Sequence, residues 1–250
     1  MPNIKLIVEY DGAGFHGWQK QGELRTVQTE LGRALSIVLR APVGSLHAAG
    51  RTDSGVHARG QVVSFRFPEV PDLRKLAQGV SHILKGELSV VSAEVVPDDF
   101  HPGKSATHKQ YTYSILNRAT PAVLDARRVW HVHRTLNLEF MQRCAGEVIG
   151  TFDYSTFRDS ECCAKSPIKT IYSSELVKEG EMLYYRVIGS GFLKQMVRNI
   201  VGTLVDLGRG TLKANSISEL LELKDRRKAG VTAPAHGLCL EWVSYDPLPE

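Results

Sequence analysis

The order of apolar and polar positions in the first part of the chain predicts strands and helices in alternation. Residues 4–10 alternate between apolar and polar side chains, as a strand with one buried face does. A glycine-rich loop follows. Thr26 is then placed to cap a helix whose apolar residues recur at helical spacing up to Pro42. The other elements predicted in this half are a strand over 61–67, a helix that begins after Asp72 and a strand over 88–96.

The second part of the chain carries similar signals. Residues 109–116 alternate, which predicts a strand, and a polar stretch over 151–167 predicts a loop. Apolar residues at helical spacing predict a long helix over 192–205, which Gly208 and Gly210 would end. The other predicted elements are strands over 128–133, 168–177, 182–189 and 238–245, and helices that begin after Asn137 and Ser216.

These elements are mixed without the strict strand–helix–strand repetition of a parallel sheet. Their order therefore predicts an α+β fold, with largely antiparallel sheets and helices packed on one face. Both parts of the chain contain comparable elements, so we expect two similar subdomains. The polar stretch PDDFHPGKSATH is the best boundary, and it divides the chain into an N-terminal subdomain over 1–105 and a C-terminal subdomain over 106–250.

Composition narrows the class of protein. Of the 250 residues, 42% are apolar and 23% are charged, which is typical of a soluble globular protein and excludes a disordered, collagen-like or coiled-coil chain. The sequence has no run of about 18 apolar residues, so it predicts no transmembrane helix. Its first residues lack the apolar run of a secretory signal. The four cysteines form no C-x-x-C pair, which argues against a zinc site and favours a reduced, cytoplasmic location.

Charge changes this picture only locally. The formal net charge is 31 − 27 = +4, which is compatible with binding to nucleic acid but does not require it. Basic residues are concentrated, with interleaved aromatic residues, in the windows 101–118 and 191–213. Composition alone favours solvated surface as the simpler interpretation of both windows.

The segment GRTDSGVHA, residues 50–58, is the main candidate for chemistry. Its glycines allow tight turns and the close approach of another backbone. If the segment is extended, Arg51 and Asp53 share a face, and the guanidinium would keep the carboxylate ionised, as a nucleophile or a general base requires. The alternative is an ordinary Asp-Ser-Gly turn, in which the carboxylate bonds to its own backbone. The residues alone leave Asp53 as a candidate.

Motifs for cofactors are incomplete. The chain has no G-x-x-x-x-G-K-[ST] run, and GSGFLK has Lys194 where a dinucleotide fingerprint has its third glycine. His131 and His133 share a face of a predicted strand, but no third ligand is nearby in the sequence. We therefore expect no nucleotide cofactor and no metal.

Six blocks of the sequence, in order from about residue 4 to residue 245, resemble the TruA family of tRNA pseudouridine synthases. GRTDSGVHA resembles the signature segment of that family. The other blocks are EYDGAGFHGWQKQ with TVQTEL, VPDDFHPGKSATHKQYTY, TFDYSTFR with CCAKSPIKTI, GSGFLKQMVRNIVGTLVDLGRG, and TAPAHGLCLEWVSY.

The resemblance implies an isomerase that converts uridine to pseudouridine at positions 38, 39 and 40 of the tRNA anticodon stem-loop. The N1 glycosidic bond breaks, the base turns and rejoins through C5, and no metal, nucleotide or redox cofactor takes part. The catalytic aspartate of the family falls on Asp53, the tyrosine that contacts the target base on Tyr111, and the basic partner of the aspartate on Arg198. The resemblance also implies a cytoplasmic homodimer with tRNA lying across both subunits, and two subdomains joined in one extended sheet with the catalytic cleft between them.

The residue types suit these roles. A target uridine must be flipped out of its stack, and an aromatic ring such as that of Tyr111 is a platform for the extruded base. Arg198, together with Arg51, would keep Asp53 charged. Asp53 would add to C6 of the base, attack C1′ of the ribose or remove a ribose proton, and the sequence does not choose among these routes. The basic residues of the two windows that would contact phosphates, and so make binding salt-dependent, are Lys104, Lys109, Lys194 and Arg209.

Two positions of the sequence depart from the family pattern. The family's F-H-A-R element is F-H-P-G at residues 100–103, followed directly by Lys104, and Lys109 stands where arginine is common. Lysine is a point charge without the bidentate fork of arginine, so both changes affect phosphate contact.

Two other functions are compatible with the sequence. One is a non-catalytic RNA-binding module on the same scaffold, and the other is a pseudouridine synthase with another RNA target.

Overall fold

The computed structural model describes residues 1–247, which form ten strands and five α-helices. The strands are β1 (Asn3–Tyr10), β2 (His47–Ala48), β3 (His57–Arg66), β4 (Leu88–Val96), β5 (His108–Leu116), β6 (Trp130–His131), β7 (Gly150–Asp153), β8 (Ile168–Glu179), β9 (Met182–Gly189) and β10 (Leu238–Ser244). The helices are α1 (Val27–Leu39), α2 (Leu73–Ile83), α3 (Leu138–Gly146), α4 (Met196–Gly208) and α5 (Ile217–Leu223). No helix within these residues is long and apolar enough to cross a membrane.

The pairing of the strands confirms the predicted α+β class with mainly antiparallel strands. The registers of β1 with β3 and β4, of β5 with β9, and of β8 with β7 and β9 are all antiparallel. The short pair β5–β6 is parallel. Helices and antiparallel strands therefore occur together in the described part of the chain, as the mixed order of elements predicted.

The chain divides into two compact units. The units consist of Met1–Thr107 with the described residues from Leu240 onward, and of His108–Cys239. This division differs from the one predicted at residue 105, because the end of the chain returns to the first unit. The backbone N–H and the hydroxyl of Thr107 both donate to the carbonyl of Ser244, over 3.0 and 3.1 Å, and these bonds hold the returning strand.

In the first unit, β1 lies between β3 and β4, and β2 pairs with β3. One face of β1 is fully buried, as its alternation predicted. Both predicted helix caps are confirmed: the Thr26 hydroxyl accepts from the Thr29 N–H of α1, and the Asp72 carboxylate accepts from the Lys75 N–H of α2. α1 and α2 contact each other, and α2 contacts β4, so the amphipathic helices cover part of the sheet.

β3 is longer than predicted. It begins at His57 rather than at residue 61, because Ala58 pairs with Tyr10 beyond a β-bulge in β3. The added residues, HARG, include a glycine and only one apolar side chain, a small alanine, so the hydrophobic pattern gave only a weak signal for them. As a result, the strand starts directly after the segment that contains Asp53.

In the second unit, the strands lie in the order β6-β5-β9-β8-β7, and α3 contacts both β8 and α4. The predicted loop over 151–167 is wrong in its first part, where β7 pairs with β8 and a 3₁₀ turn covers Ser155–Phe157. Tyr154 and Phe157 are fully buried, and the Tyr154 hydroxyl donates to the carbonyl of Val148 over 2.6 Å. These two aromatic residues stand among polar neighbours in the sequence, so the hydrophobic pattern did not predict their burial.

Two further elements differ from their predictions. The strand predicted over 128–133 is reduced to the two residues of β6. The helix predicted over 192–205 begins only at Met196, because Gln195 has a φ of 60°, which an α-helix cannot contain. The chain therefore enters α4 through a turn.

One buried polar side chain fixes α4 within the second unit. Asn199 is fully buried, and its Nδ2 donates to the carbonyl of Phe157 over 2.9 Å. Its Oδ1 accepts from Nη2 of Arg226 over 3.0 Å and from the hydroxyl of Thr232 over 2.7 Å. A single amide thus ties the helix to the 3₁₀ turn at Ser155–Phe157, to a second 3₁₀ turn at Arg226–Lys228 and to the loop that contains Thr232.

Replacing Asn199 by alanine is expected to lower the free energy of unfolding by about 2–4 kcal/mol, because the carbonyl of Phe157 and the guanidinium of Arg226 each lose a buried partner. Denaturation in urea measures this loss. Asn215→Ala is the control, since its side chain is exposed and has no hydrogen bond within residues 1–247; it should stay within about 0.5 kcal/mol of wild type. Equal losses in both variants would contradict the role given to Asn199.

Candidate active site

Asp53 lies in the loop that joins β2 to β3, named here the Asp53 loop (residues 49–56). Its side chain is partly exposed. Its backbone carbonyl accepts from the N–H of Val56 over 3.1 Å, and Gly55 has a φ of 81°. The chain therefore turns tightly at Asp-Ser-Gly and keeps the aspartate side chain accessible to solvent. A second segment, the first loop (residues 11–25), contacts this turn.

Hydrogen bonds from the first loop fix the backbone on both sides of the aspartate. The N–H of Trp18 donates to the carbonyl of Thr52 over 3.0 Å, and the N–H of Gly12 donates to Nδ1 of His57 over 3.0 Å. Trp18, Thr52 and His57 are all buried. Because these bonds are shielded from water, they restrict the motion of the residues that flank Asp53.

Two features fix the first loop in turn. Gly17 has a φ of 81°, and a Cβ atom there would lie 2.8 Å from the carbonyl oxygen of Thr52. Arg25 donates to both carboxylate oxygens of Glu87, over 2.7 and 2.6 Å, and its guanidinium carbon lies 4.8 Å from the centre of the Phe15 ring. The hydrogen bond from Arg25 lowers the pKa of the Glu87 carboxyl group. The glycine permits the close approach, and the ion pair closes the loop.

The expected pair of Arg51 with Asp53 does not form. Arg51 is exposed and makes no ion pair or hydrogen bond within residues 1–247. The reason is local: Thr52 is buried, with its hydroxyl 2.8 Å from that of Tyr10, and the chain turns immediately afterwards. The segment is therefore not the extended strand on which alternate residues would share a face.

Tyr111 lies in the second unit, on β5, where it pairs with Val187 of β9. Its side chain is only 7% exposed. The ring of Phe192 packs against it edge to face, with centroids 5.1 Å apart and an interplanar angle of 84°. Strand pairing and ring contact together give this aromatic group a fixed orientation.

Arg198 lies in the first turn of α4, next to Asn199, and is partly exposed. Its Nε donates to the carbonyl of Ala233 over 2.8 Å, while the N–H of Ala233 donates to its carbonyl over 3.1 Å. This two-way link sets the direction of the side chain. Burial raises the pKa of the Tyr113 phenol far above its usual range, and the charge of Arg198 opposes this rise.

The four basic residues expected to contact a polyanion differ in their surroundings. Lys104 is exposed and makes no ion pair within residues 1–247. Lys194 lies 3.0 Å from Asp159 and 2.7 Å from Glu161, and hydrogen bonds to these carboxylates raise the pKa of its ammonium group. The Lys194 contacts favour a structural role for its charge. The other two residues, Lys109 and Arg209, are partly buried.

Sequence reasoning missed two positioning residues. His57 lies in the GRTDSGVHA segment, where the sequence gave it no role. Asn199 lies in a helix that was predicted from its apolar residues. Both are polar groups among apolar neighbours, and that contrast is the signal that would have marked them. Within residues 1–247, no three His, Cys, Asp or Glu side chains are grouped so that they would hold a metal ion.

Comparison with known proteins identifies the family. Residues 144–246 match the family model described as tRNA pseudouridine synthase. The chain is similar to tRNA pseudouridine synthase A of Citrifermentans bemidjiense, with 42% identity over 246 residues that cover 98% of each chain. It is also similar to the proteins of that name from Syntrophotalea carbinolica, with 40% identity over 99% of this chain and 98% of that one, and from Geobacter sp. strain M21, with 41% identity over 98% and 99%.

These matches place the chain among the pseudouridine synthases, enzymes that isomerise uridine to pseudouridine. Because relatives with 40–42% identity are matched over nearly their full length, the chain belongs to the tRNA pseudouridine synthase A family. The family resemblance of the six sequence blocks is thereby confirmed.

Gly17→Ala is expected to lower the free energy of unfolding by about 1–3 kcal/mol, because the new methyl group meets the carbonyl of Thr52 and the backbone conformation is strained. Gly22→Ala is the matched control: its φ is also positive, at 47°, but a Cβ atom added there would have no other atom within 4 Å. Urea denaturation of both variants isolates the cost of the contact. A loss no larger than that of the control would show that the two loops are not closely packed.

Burial lowers the pKa of Lys109 from 10.5 to about 8. Between these two values the unfolded chain binds more protons than the folded one, so this lysine makes stability rise with pH across that window. We expect the unfolding free energy of wild type, relative to Lys109→Met, to increase from pH 8 to pH 10.5. Lys85→Met, at an exposed position, is the control, and denaturation across this range makes the comparison. A constant difference for Lys109→Met would mean that its ammonium group is not desolvated.

Proposed function

We propose that this protein isomerises uridine to pseudouridine at positions 38, 39 and 40 of the tRNA anticodon stem-loop. The observation that carries the proposal is the match of almost the whole chain to proteins named tRNA pseudouridine synthase A. The sequence blocks that resemble the family supply the positions. A basic chain, with a formal net charge of +4, suits a polyanionic substrate.

Asp53 is the catalytic carboxylate of this proposal. Support comes from its place in a signature-like segment, its partial exposure and the buried hydrogen bonds that hold the backbone beside it. During the reaction the N1–C1′ bond breaks, the base turns and C5 bonds to C1′, while the hydrogen of C5 leaves as a proton and N1 gains one. Attack on C6, attack on C1′ and removal of a ribose proton are all compatible with one accessible carboxylate.

Tyr111 contacts the target base after it has been flipped out of the stem-loop. Its support is the fixed pair of rings that it forms with Phe192. Stacking on an aromatic side chain contributes at most about 1–3 kcal/mol per base, and Tyr111 supplies only part of this because its side chain is 7% exposed. A platform that is already oriented loses little further entropy when the base arrives.

Arg198 is the basic partner of Asp53 in the catalytic cycle. Its link to Ala233 supports this role, because a guanidinium of fixed direction is a better partner for a carboxylate than a mobile one. The charge would keep the aspartate ionised while negative charge moves through the base. With Arg51 outside that pair, Arg198 alone takes the role that the sequence divided between two arginines.

Contacts to phosphate groups come from Arg51, Lys104 and Lys109, with a smaller part for Lys194. Arg51 and Lys104 are exposed and make no ion pair within residues 1–247, so a phosphate would not have to displace an internal carboxylate. Burial lowers the pKa of Lys109 to about 8, so its ammonium group is half protonated at that pH and mostly protonated at neutral pH. The working enzyme is a cytoplasmic homodimer in this proposal, with tRNA across both subunits, and it uses no metal, nucleotide or redox cofactor.

Release of tritium from tRNA labelled at C5 of uridine tests the proposal, because the C5 hydrogen must leave when the new carbon–carbon bond forms. Wild type should release more tritium than the molar amount of enzyme present. Asp53→Asn should reduce the rate by about 10²–10⁴-fold. Asp99→Asn, at an exposed aspartate of the same unit, is the matched control and should retain the wild-type rate.

Mapping the modified nucleotide completes this test. Pseudouridine at positions 38, 39 and 40 supports the proposed target, and conversion elsewhere in tRNA or in another RNA overturns it. Near-wild-type release by folded Asp53→Asn would remove Asp53 from the mechanism. Binding of tRNA by wild type without any release would favour a non-catalytic RNA-binding module.

A further inference from the structure

The second unit contains a cavity of about 570 Å³ to which the proposed chemistry assigns no role. It is lined by two arginines, a histidine and one acid: Arg134, Arg209, His133 and Asp206. The segment after β6, the end of α4 and the segment 229–231 bring these groups together. A concave surface with more basic than acidic side chains is suited to an anionic ligand.

Arg209 is the unusual member of this group. Its side chain is 21% exposed and lies over the ring of Trp130, with 5.6 Å between the guanidinium carbon and the ring centre. A guanidinium has five N–H donors, yet within residues 1–247 none of those of Arg209 makes a hydrogen bond, and its Nε is fully shielded from solvent. The shielded Nε is out of reach of a ligand, but the terminal Nη1 and Nη2 groups carry the other four donors, and among the described residues these have no hydrogen-bond acceptor that a ligand would need to displace.

Asp206 does not supply that acceptor. Its nearest oxygen is 3.8 Å from Arg209, beyond hydrogen-bond distance. The carboxylate is used elsewhere: Oδ2 accepts from the N–H of Val231 over 3.0 Å, and Oδ1 accepts from the hydroxyl of Thr211 over 3.4 Å. The acid therefore braces the wall of the cavity, and its long ion pair with Nη1 of Arg209 leaves the guanidinium without a hydrogen-bond acceptor in the described part of the chain.

The other basic groups lie at the rim. His133 and Arg134 are exposed, and neither side chain makes an ion pair or a hydrogen bond within residues 1–247. The backbone from which these two side chains extend is held in place, because the preceding residue, Val132, is fully buried and its N–H donates to the carbonyl of Leu116 over 2.9 Å. Two donors at the rim and one partly buried guanidinium thus face a single open space.

We infer that this cavity is a subsite for one phosphate group of the tRNA backbone, held by Arg209 and Arg134 with His133 as a further donor. The inference rests on the proposed function, which supplies the polyanion. The planar guanidinium of arginine matches the oxygens of a phosphate. Contact with the ring of Trp130 restricts the orientation of the Arg209 guanidinium. Such a contact fixes the position of the RNA and does not read its sequence.

Binding of unmodified tRNA at several salt concentrations tests the subsite. Arg134→Gln is the first variant, because Arg134 is exposed and makes no ion pair within residues 1–247. Its Kd should rise roughly five-fold, and the slope of log K against log salt should fall by about 1. Arg209→Gln should behave in the same way. Arg74→Gln, on an exposed position of α2, is the control and should leave both quantities unchanged.

A steady-state measurement separates this role from a structural one. Arg134→Gln should raise KM for tRNA and leave kcat unchanged, since the residue does not contact the reacting atoms. If Arg209→Gln fails to fold, Arg134→Gln decides alone. An unchanged Kd and salt slope for Arg134→Gln overturn the inference.

A further comparison distinguishes RNA from a free anion. Inorganic phosphate is compared with chloride at equal ionic strength for its effect on the unfolding temperature. Stabilisation by phosphate that Arg134→Gln abolishes, combined with unaltered tRNA affinity, would assign the cavity to a small anion and overturn the inference. Wild type that binds tRNA without releasing tritium would defeat the proposed function, while the salt slopes would still decide the subsite.

Discussion

The packing of the first loop against the Asp53 loop is the constraint on which the account of this site depends. An aspartate in an Asp-Ser-Gly turn is ordinarily a mobile surface group, and nothing in its own three residues makes it a catalyst. Here the flanking backbone is fixed by buried bonds, from Trp18 to Thr52 and from Gly12 to His57. The ion pair of Arg25 with Glu87 closes the first loop behind them. Such preorganisation is what an enzyme needs in order to hold a reactive group against its substrate.

In the second unit, a buried amide and strand pairing hold the candidate residues in place. Arg198 lies on a helix, and the helix is held by the buried amide of Asn199, which satisfies three partners at once. The strand β5 orients Tyr111 by its register, and Phe192 fixes the ring. Each candidate residue therefore depends on neighbours that do no chemistry, and substitutions at those neighbours should be felt at the site.

Much of this could be predicted from the sequence, and the failures have physical causes. Alternation over β1 and β5 and the caps at Thr26 and Asp72 are local signals, so those elements were predicted nearly to the residue. β7 and the turn that follows it were missed because the aromatic residues that anchor the turn, Tyr154 and Phe157, are surrounded by polar ones. The absent Arg51–Asp53 pair shows that spacing predicts a shared face only if the chain is extended. The family resemblance supplied the roles of Asp53, Tyr111 and Arg198, which periodicity alone could not give.

A single-turnover experiment tests the central claim most directly, namely that Asp53 performs the chemistry in a preformed loop. Enzyme is mixed in excess with tRNA labelled with tritium at C5 of uridine, so that product release does not limit the signal. The account predicts rapid release by wild type and no detectable release by Asp53→Asn over the same time, although that variant still binds the tRNA. Release by Asp53→Asn at the wild-type rate would contradict it.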